Sequence, residues 1–258
     1  MEYVKYGDLQ RYIELGMNFP GQQAPLITSQ IASALQYMHS KGFIHRNLRP
    51  SVCHYCSSPL IQTISSTDRH VNSRYKNILV VTEGPEWSIK LADFGIATNV
   101  ADPRPSTDYI RTSGFMPPEM VDSSQAYTAA IDVWALGAIV FCLLVGVPPF
   151  YKLDDMLGYC AGIRQFPTRI LGCSSGYSID FILRAMDPRP QQRMSIQQVL
   201  DHEWLHIIDY AVTLDPRYVR VDDNLTYLEI DLTTVTEPYL WSLYPSWTPF
   251  GDCQVRQS

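Results

Sequence analysis

The apolar positions of this chain fall mostly at helical intervals and only briefly at strand intervals. From Leu26 onward, Ile27, Ile31, Leu35 and Met38 recur every three or four residues, which predicts one helix face, and Gly42 supplies the stop. Upstream, Met1 to Val4 reads as a short extended piece leading through a Gly7-Asp8 turn into a short helix ending near Leu15. Pro20, Gly21 and Pro25 are predicted to bracket a loop. Ile78 to Val81 and Ser88 to Leu91 read as strands joined by a turn at Glu83-Gly84-Pro85. Ile131 to Val145 is apolar nearly all round, so a buried central helix is predicted there, ended by Gly146 to Pro149. Two further helices are predicted near Ser178 to Met186 and Ser195 to His202. Beyond Leu205 the texture changes: Thr, Val, Tyr and Asp alternate from Val212 to Leu232, and Trp241 and Trp247 follow among prolines. Short strands and an irregular packed tail both fit that stretch. The fold class is therefore mainly α (α+β), with one small hairpin.

Composition narrows the partners. With 258 residues and 46% hydrophobic content the chain can bury a substantial core. A net charge of -6 offers no basic footprint for nucleic acid or an anionic membrane. The longest apolar run, Ala135 to Val147, falls short of the roughly 20 residues that span a bilayer. Met1-Glu2-Tyr3 lacks the basic start and apolar core of a signal peptide. Six scattered cysteines suit reduced thiols in an intracellular protein, cytoplasmic or nuclear. Cys53-His54-Tyr55-Cys56, with His70 downstream, lacks the second ligand pair that a zinc site needs, and reads as a chance grouping.

Three motifs then carry the chemistry, in a fixed order. His45-Arg46-Asn47-Leu48-Arg49-Pro50 comes first, with Asn77-Ile78-Leu79-Val80 as its displaced continuation. Asp93-Phe94-Gly95 and Pro117-Pro118-Glu119 follow. Asp93 lies directly after a strand and just before a glycine, which sets a carboxylate at a strand end with backbone freedom beside it. Such a carboxylate suits a hard cation, since Mg²⁺ favours carboxylate and phosphate oxygens. Asn77 begins the preceding strand, within reach of Asp93 across the hairpin.

Together these residues resemble the hinge and C-terminal lobe of the eukaryotic-type serine/threonine protein kinases, over about residues 1–50 and 77–205. The resemblance implies the protein-kinase-like fold and phosphoryl transfer from Mg-ATP to a protein hydroxyl. It implies that Glu2 and Val4 bond adenine through their backbone, that Asp8 faces the ribose, and that Leu79 forms the floor under the ring. Asp93 and Asn77 would hold Mg²⁺. Asn47 occupies the proton-acceptor position, and Arg49 the place of a phosphate-contacting lysine. His45, Phe94 and Gly95 complete the two motifs, while Thr112 matches a threonine beside the catalytic loop. Glu119 and Arg193 resemble a buried ion pair, and Asp132 an aspartate that bonds the catalytic-loop backbone. Ser106, Thr107, Tyr109 and Ser113 lie where relatives are phosphorylated, and Arg46 could pair with such a phosphate; an ordinary polar loop fits equally.

The departures are as specific as the matches. Asn47 keeps the shape of an aspartate but has no charge and cannot act as a base, a role worth on the order of 10²–10⁴ in rate. Arg49 keeps a positive charge with a planar fork in place of an ammonium point. Residues 51–76 separate Pro50 from Asn77, where relatives have one residue. A retained intron read in frame and a genuine surface loop are the two origins that fit. Loop length alone is thermodynamically cheap, about 0.6 kcal/mol per doubling. The chain also begins at the hinge, which reads as a truncated gene model lacking the Gly-rich loop, strand lysine and helix glutamate of relatives. The expected domains are 1–205, kinase-like with the 51–76 insertion, and 206–258, a tail of unknown role. Three readings follow: a kinase domain inactive as written, a pseudokinase that binds nucleotide or a protein partner as a scaffold, and a non-functional truncated product.

Overall fold

The computed structural model describes residues 4–17, 19, 22–50, 77–99, 114–121, 127–172 and 174–206, with the backbone of 219–221 and 228–230. Glu2, residues 51–76 with the cysteine cluster, Thr112 and the four hydroxyl residues between Ser106 and Ser113 lie outside the described residues. The chain divides into two compact units, Met1–His206 and Ile207–Ser258.

In the first unit, Asp8 caps α1 (Leu9–Glu14) by accepting the Arg11 N–H at 3.1 Å. Helix α2 (Gln23–Ser40) buries Ile27, Ile31, Ala32 and Leu35, the face that the spacing predicts. It begins earlier than expected, and Pro25 lies inside it, not in the bracketing loop. The first turn of a helix tolerates proline because its N–H groups have no intrahelical acceptor. Gly42, at φ +77°, ends the helix as its composition predicts.

Strand β1 (Phe43–Ile44) then pairs antiparallel with β4 (Thr98–Asn99). Strands β2 (Ile78–Thr82) and β3 (Ser88–Leu91) form the expected hairpin, with Ile78 opposite Leu91 and Val80 opposite Ile89. Helix α2 holds this hairpin through two side chains. Gln23 Oε1 accepts the Trp87 indole N–H at 2.8 Å. Gln30 donates Nε2 to the Trp87 carbonyl at 2.7 Å and accepts the Ile89 N–H at 3.0 Å.

The centre of the unit is α3 (Ala130–Val145), buried at every position from Ile131 to Leu143. It packs against α2 and against α5 (Gly176–Ala185). The approach to α5 is close: a Cβ on Gly137 would stand 2.7 Å from Met186 Cγ and 2.9 Å from Ala185 Cβ. Glycine is therefore required there by space, not by backbone conformation. Gly146 caps α3 in the left-handed region, at φ +79°. Helix α4 (Leu153–Cys160), which lacks a clear sequence signal, precedes α5, and α6 (Ile196–Leu200) starts from a full capping box between Ser195 and Gln198. In the second unit, β5 (Val219–Val221) pairs antiparallel with β6 (Leu228–Ile230), so strands answer the alternation there.

Candidate functional site

A single buried carboxylate organises the loop from His45 to Pro50. Asp132 projects from the first turn of α3 and is 1% exposed. Its Oδ2 accepts the His45 N–H at 2.9 Å and its Oδ1 accepts the Arg46 N–H at 2.9 Å. His39, from the last turn of α2, brings Nε2 to 2.9 Å of the same Oδ2. A buried charge needs this many partners to offset its desolvation. The loop can therefore hold Arg46 at φ +65°, a conformation that few side chains adopt unaided.

His45 links this loop to the Asp93 segment. Its Nε2 lies 3.2 Å from the Ala92 carbonyl, which can only accept, so Nε2 carries the proton. Nδ1 is then free to accept the Asn47 N–H at 3.3 Å. The edge of the ring meets Phe94, at 5.5 Å between centroids, while Phe94 keeps 52% of its surface exposed. Arg46 donates Nε to the Ile96 carbonyl at 2.9 Å, tying the same two segments a second time. Asp93 stands between these ties at φ +62°. A positive φ at a non-glycine residue persists only where the surroundings over-determine it. Gly95 follows, inside the turn closed by the Ala97 N–H bond to the Phe94 carbonyl.

Asn47, Asn77 and Asp93 come together at the strand end. The Asn77 N–H donor Nδ2 bonds the Asn47 carbonyl, and the Asn47 amide Nδ2 lies 3.4 Å from Asp93 Oδ2. Because a carbonyl only accepts, the first bond fixes which end of the Asn77 amide is nitrogen. Its oxygen, Oδ1, is then buried with no hydrogen-bond partner among the described residues. Leaving a buried acceptor unsatisfied costs about 1–3 kcal/mol. An amide oxygen without a partner, near a carboxylate, is a donor set that fits a hard divalent cation. Asn77 and Asp93 are the residues that would hold it.

The remaining sequence-predicted positions surround this point. The Val80 N–H donates to the Gly7 carbonyl at 2.9 Å, and Asp8 bridges Leu79, so Gly7 and Asp8 run beside β2. Asp8 is buried and serves α1 as its cap. Leu79 is half-buried, on the face of β2 opposite the fully buried Ile78 and Val80. Arg49 is half-buried on the same loop, after the buried Leu48. Away from the site, Arg193 grips Glu119 through two bonds of 2.6 and 3.0 Å and also donates to the Ala130 carbonyl at 2.9 Å. His39 and Gln30 are positioning residues that sequence reading missed, because each acts on a partner far away in sequence. Thiol chemistry has no candidate among the described residues: Cys142 is buried, and burial pushes the Cys160 thiol up to about 11.

This arrangement coincides with a known pattern. A sequence model of the protein kinase domain matches residues 1–52 and 69–205. The chain belongs to the protein kinase family. Within it the kin are serine/threonine kinases. The chain is 30% identical to an Aurora kinase of Schizosaccharomyces pombe over 208 residues, 80% of this chain and 49% of that protein. It is 29% identical to the Aurora kinase of Debaryomyces hansenii, over 80% of this chain and 43% of that protein. Rat calcium/calmodulin-dependent protein kinase type 1B is 30% identical, over 80% of this chain and 53% of that kinase. This kinase chain thus spans about half the length of the curated relatives it matches. The crystal structure of the Rad53 kinase domain and SCD2 shares its fold, with a TM-score of 0.57 at 23% identity over 80% of this chain and 65% of that one. The kinase match breaks at residues 53–68, inside the stretch that separates Pro50 from Asn77.

Proposed function

We propose that this chain is a serine/threonine kinase-like lobe that keeps the metal-nucleotide half of the site and has lost phosphoryl-transfer activity. Kinases of this family use ATP and Mg²⁺ and act on protein hydroxyls; bound Mg-ATP supplies the transferable phosphoryl group with its charge neutralised. Asp93 and Asn77 would hold the metal, Leu79 and the backbone of Val4 the adenine, and Asp8 the ribose side. Residues 1–205 form this kinase-like part, with 51–76 as an insertion and 206–258 as a tail.

One observation carries the loss of transfer. At the place where a substrate hydroxyl must give up its proton, Asn47 presents an amide whose N–H points to Asp93. An amide oxygen is too weak a base to take that proton near neutral pH, and a positioned base contributes on the order of 10²–10⁴ in rate. The intact Asp93 and Asn77 favour a pseudokinase that binds nucleotide and uses its surface for a protein partner. The test is a melting curve of the chain with and without Mg-ATP, run beside a labelled-phosphate transfer assay, for the natural sequence and Asn47→Asp. A rise in Tm with Mg-ATP and no transfer by the natural sequence is expected. Transfer at equal rates by the two proteins would overturn the role given to Asn47.

A further inference from the structure

The contact between Asn47 and Asp93 has a consequence for the metal-free protein. Asn47 is held on both sides of its own peptide: its N–H donates to His45 Nδ1 at 3.3 Å, and its carbonyl accepts from Asn77 Nδ2. His45 is itself fully buried and anchored to the Ala92 carbonyl at 3.2 Å, one residue before Asp93. The Asn47 side chain therefore meets Asp93 Oδ2 at 3.4 Å from a backbone that is already fixed. Where a carboxylate stood in this place, two like charges would face each other at the same separation. Such a pair repels, and the repulsion is relieved by a cation between its members or by one side chain turning away. Here a donor faces the carboxylate, and no repulsion has to be relieved.

We infer that Asn47 is a positioning residue that keeps the Asp93 carboxylate in place without a divalent cation, so that the site stays assembled when metal is absent. The inference rests on reading Asp93 and Asn77 as the metal-holding pair. A cation arriving here has no repulsion between residues 47 and 93 to relieve. One lone pair of Asp93 is also already engaged by the Asn47 N–H.

The test is thermal melting of the full chain and its Asn47→Asp, Asp93→Asn and doubly substituted forms, first in EDTA and then in Mn²⁺ or Mg²⁺, with no nucleotide. In EDTA, Asn47→Asp is expected to lower Tm by on the order of 5 °C, and the loss should vanish once Asp93 is also Asn. Mn²⁺ should raise Tm more in Asn47→Asp than in the natural sequence, restoring most of the loss. A purely structural role for Asn47 would give a loss that neither metal nor the Asp93 change alters. If Asn47→Asp does not fold, Asn47→Ala takes its place in the same cycle, with a smaller loss that again requires Asp93. Zero coupling between positions 47 and 93 in EDTA would overturn the inference, whatever the metal does. Coupling in EDTA with no variant responding to Mn²⁺ would keep the positioning role and overturn the metal-site reading.

Discussion

Two polar clusters sit in this lobe, one closed and one open. At Glu119 and Arg193 the donors and acceptors answer one another: two bonds join guanidinium and carboxylate, a third goes to the Ala130 carbonyl, and a fourth to the Asp187 carbonyl at 2.9 Å. The Trp134 ring lies under the same guanidinium at 5.0 Å. At Asn47, Asn77 and Asp93 the amide of one residue is spent on a backbone carbonyl, and a buried oxygen is left without a partner among the described residues. The first arrangement ties Pro118–Met120 to the lower helices and has no capacity for a ligand. The second carries an unmet acceptor beside a strained aspartate, which a fold tolerates where a ligand completes it. Burial alone does not separate the two groups; the Glu119–Arg193 pair is satisfied, and the Asn77 oxygen is not, among the described residues.

Breaking the closed group should have the larger effect. Arg193→Ala leaves Glu119 buried without its partner and is expected to lower stability by about 3–5 kcal/mol, read by urea unfolding. A loss below about 1 kcal/mol would mean that Glu119 reaches solvent once Arg193 is gone.

Asp132, on the helix turn whose Ala130 carbonyl Arg193 also bonds, gives the next effect. Asp132→Asn keeps the shape, but its amide can present an oxygen to only one side. It must then turn an N–H₂ towards a backbone N–H of His45 or Arg46. The expected loss is about 1.5–3 kcal/mol, together with loss of any Mg-ATP response, because the loop that carries Asn47 is released. Retention of the Mg-ATP shift with reduced stability would separate the loop's order from the site.

The smallest effect lies at the edge of the closed region. His202 is buried against Phe181 and brings Nε2 to 3.1 Å of Asp180. Burial nevertheless holds its pKa below the ordinary value, outweighing the Asp180 carboxylate, whose side chain is 57% exposed and well solvated. With the folded pKa depressed, the unfolded chain binds the proton more readily. The stabilisation from neutral His202 is therefore complete above the unfolded value of about 6.5 and is lost as pH falls below it. The natural sequence should lose Tm more steeply than His202→Gln between roughly pH 6.5 and pH 5. Parallel curves would show that the imidazole is solvated in the folded state.

Much of this lobe was legible from the chain alone, because the responsible signals are local. The spacing of Ile27, Ile31 and Leu35, the unbroken apolar run of α3 and the turn between β2 and β3 each act within a few residues. The ordered motifs around Asn47, Asp93 and Glu119 identify the family because those residue types at those intervals have few other uses. Helix α4 was not legible: only Met156 of its eight residues is buried, so it carries a weak apolar stripe. Pro25 misled because its meaning depends on whether a helix begins before it.

The sequence by itself determined which residues could do chemistry here: a carboxylate at Asp93, an amide at Asn77 and no base at position 47. Only the tertiary structure decided how those groups are used. That Asp132 holds the loop together with His39, across ninety-three residues, could not be read from either residue's neighbours. Nor could the orientation of the Asn77 amide, which follows from a carbonyl thirty residues earlier in the chain. Periodicity encodes a face, since it depends on the chain's own geometry. A hydrogen bond between distant segments encodes nothing locally, and it exists only once folding has brought donor and acceptor out of water together.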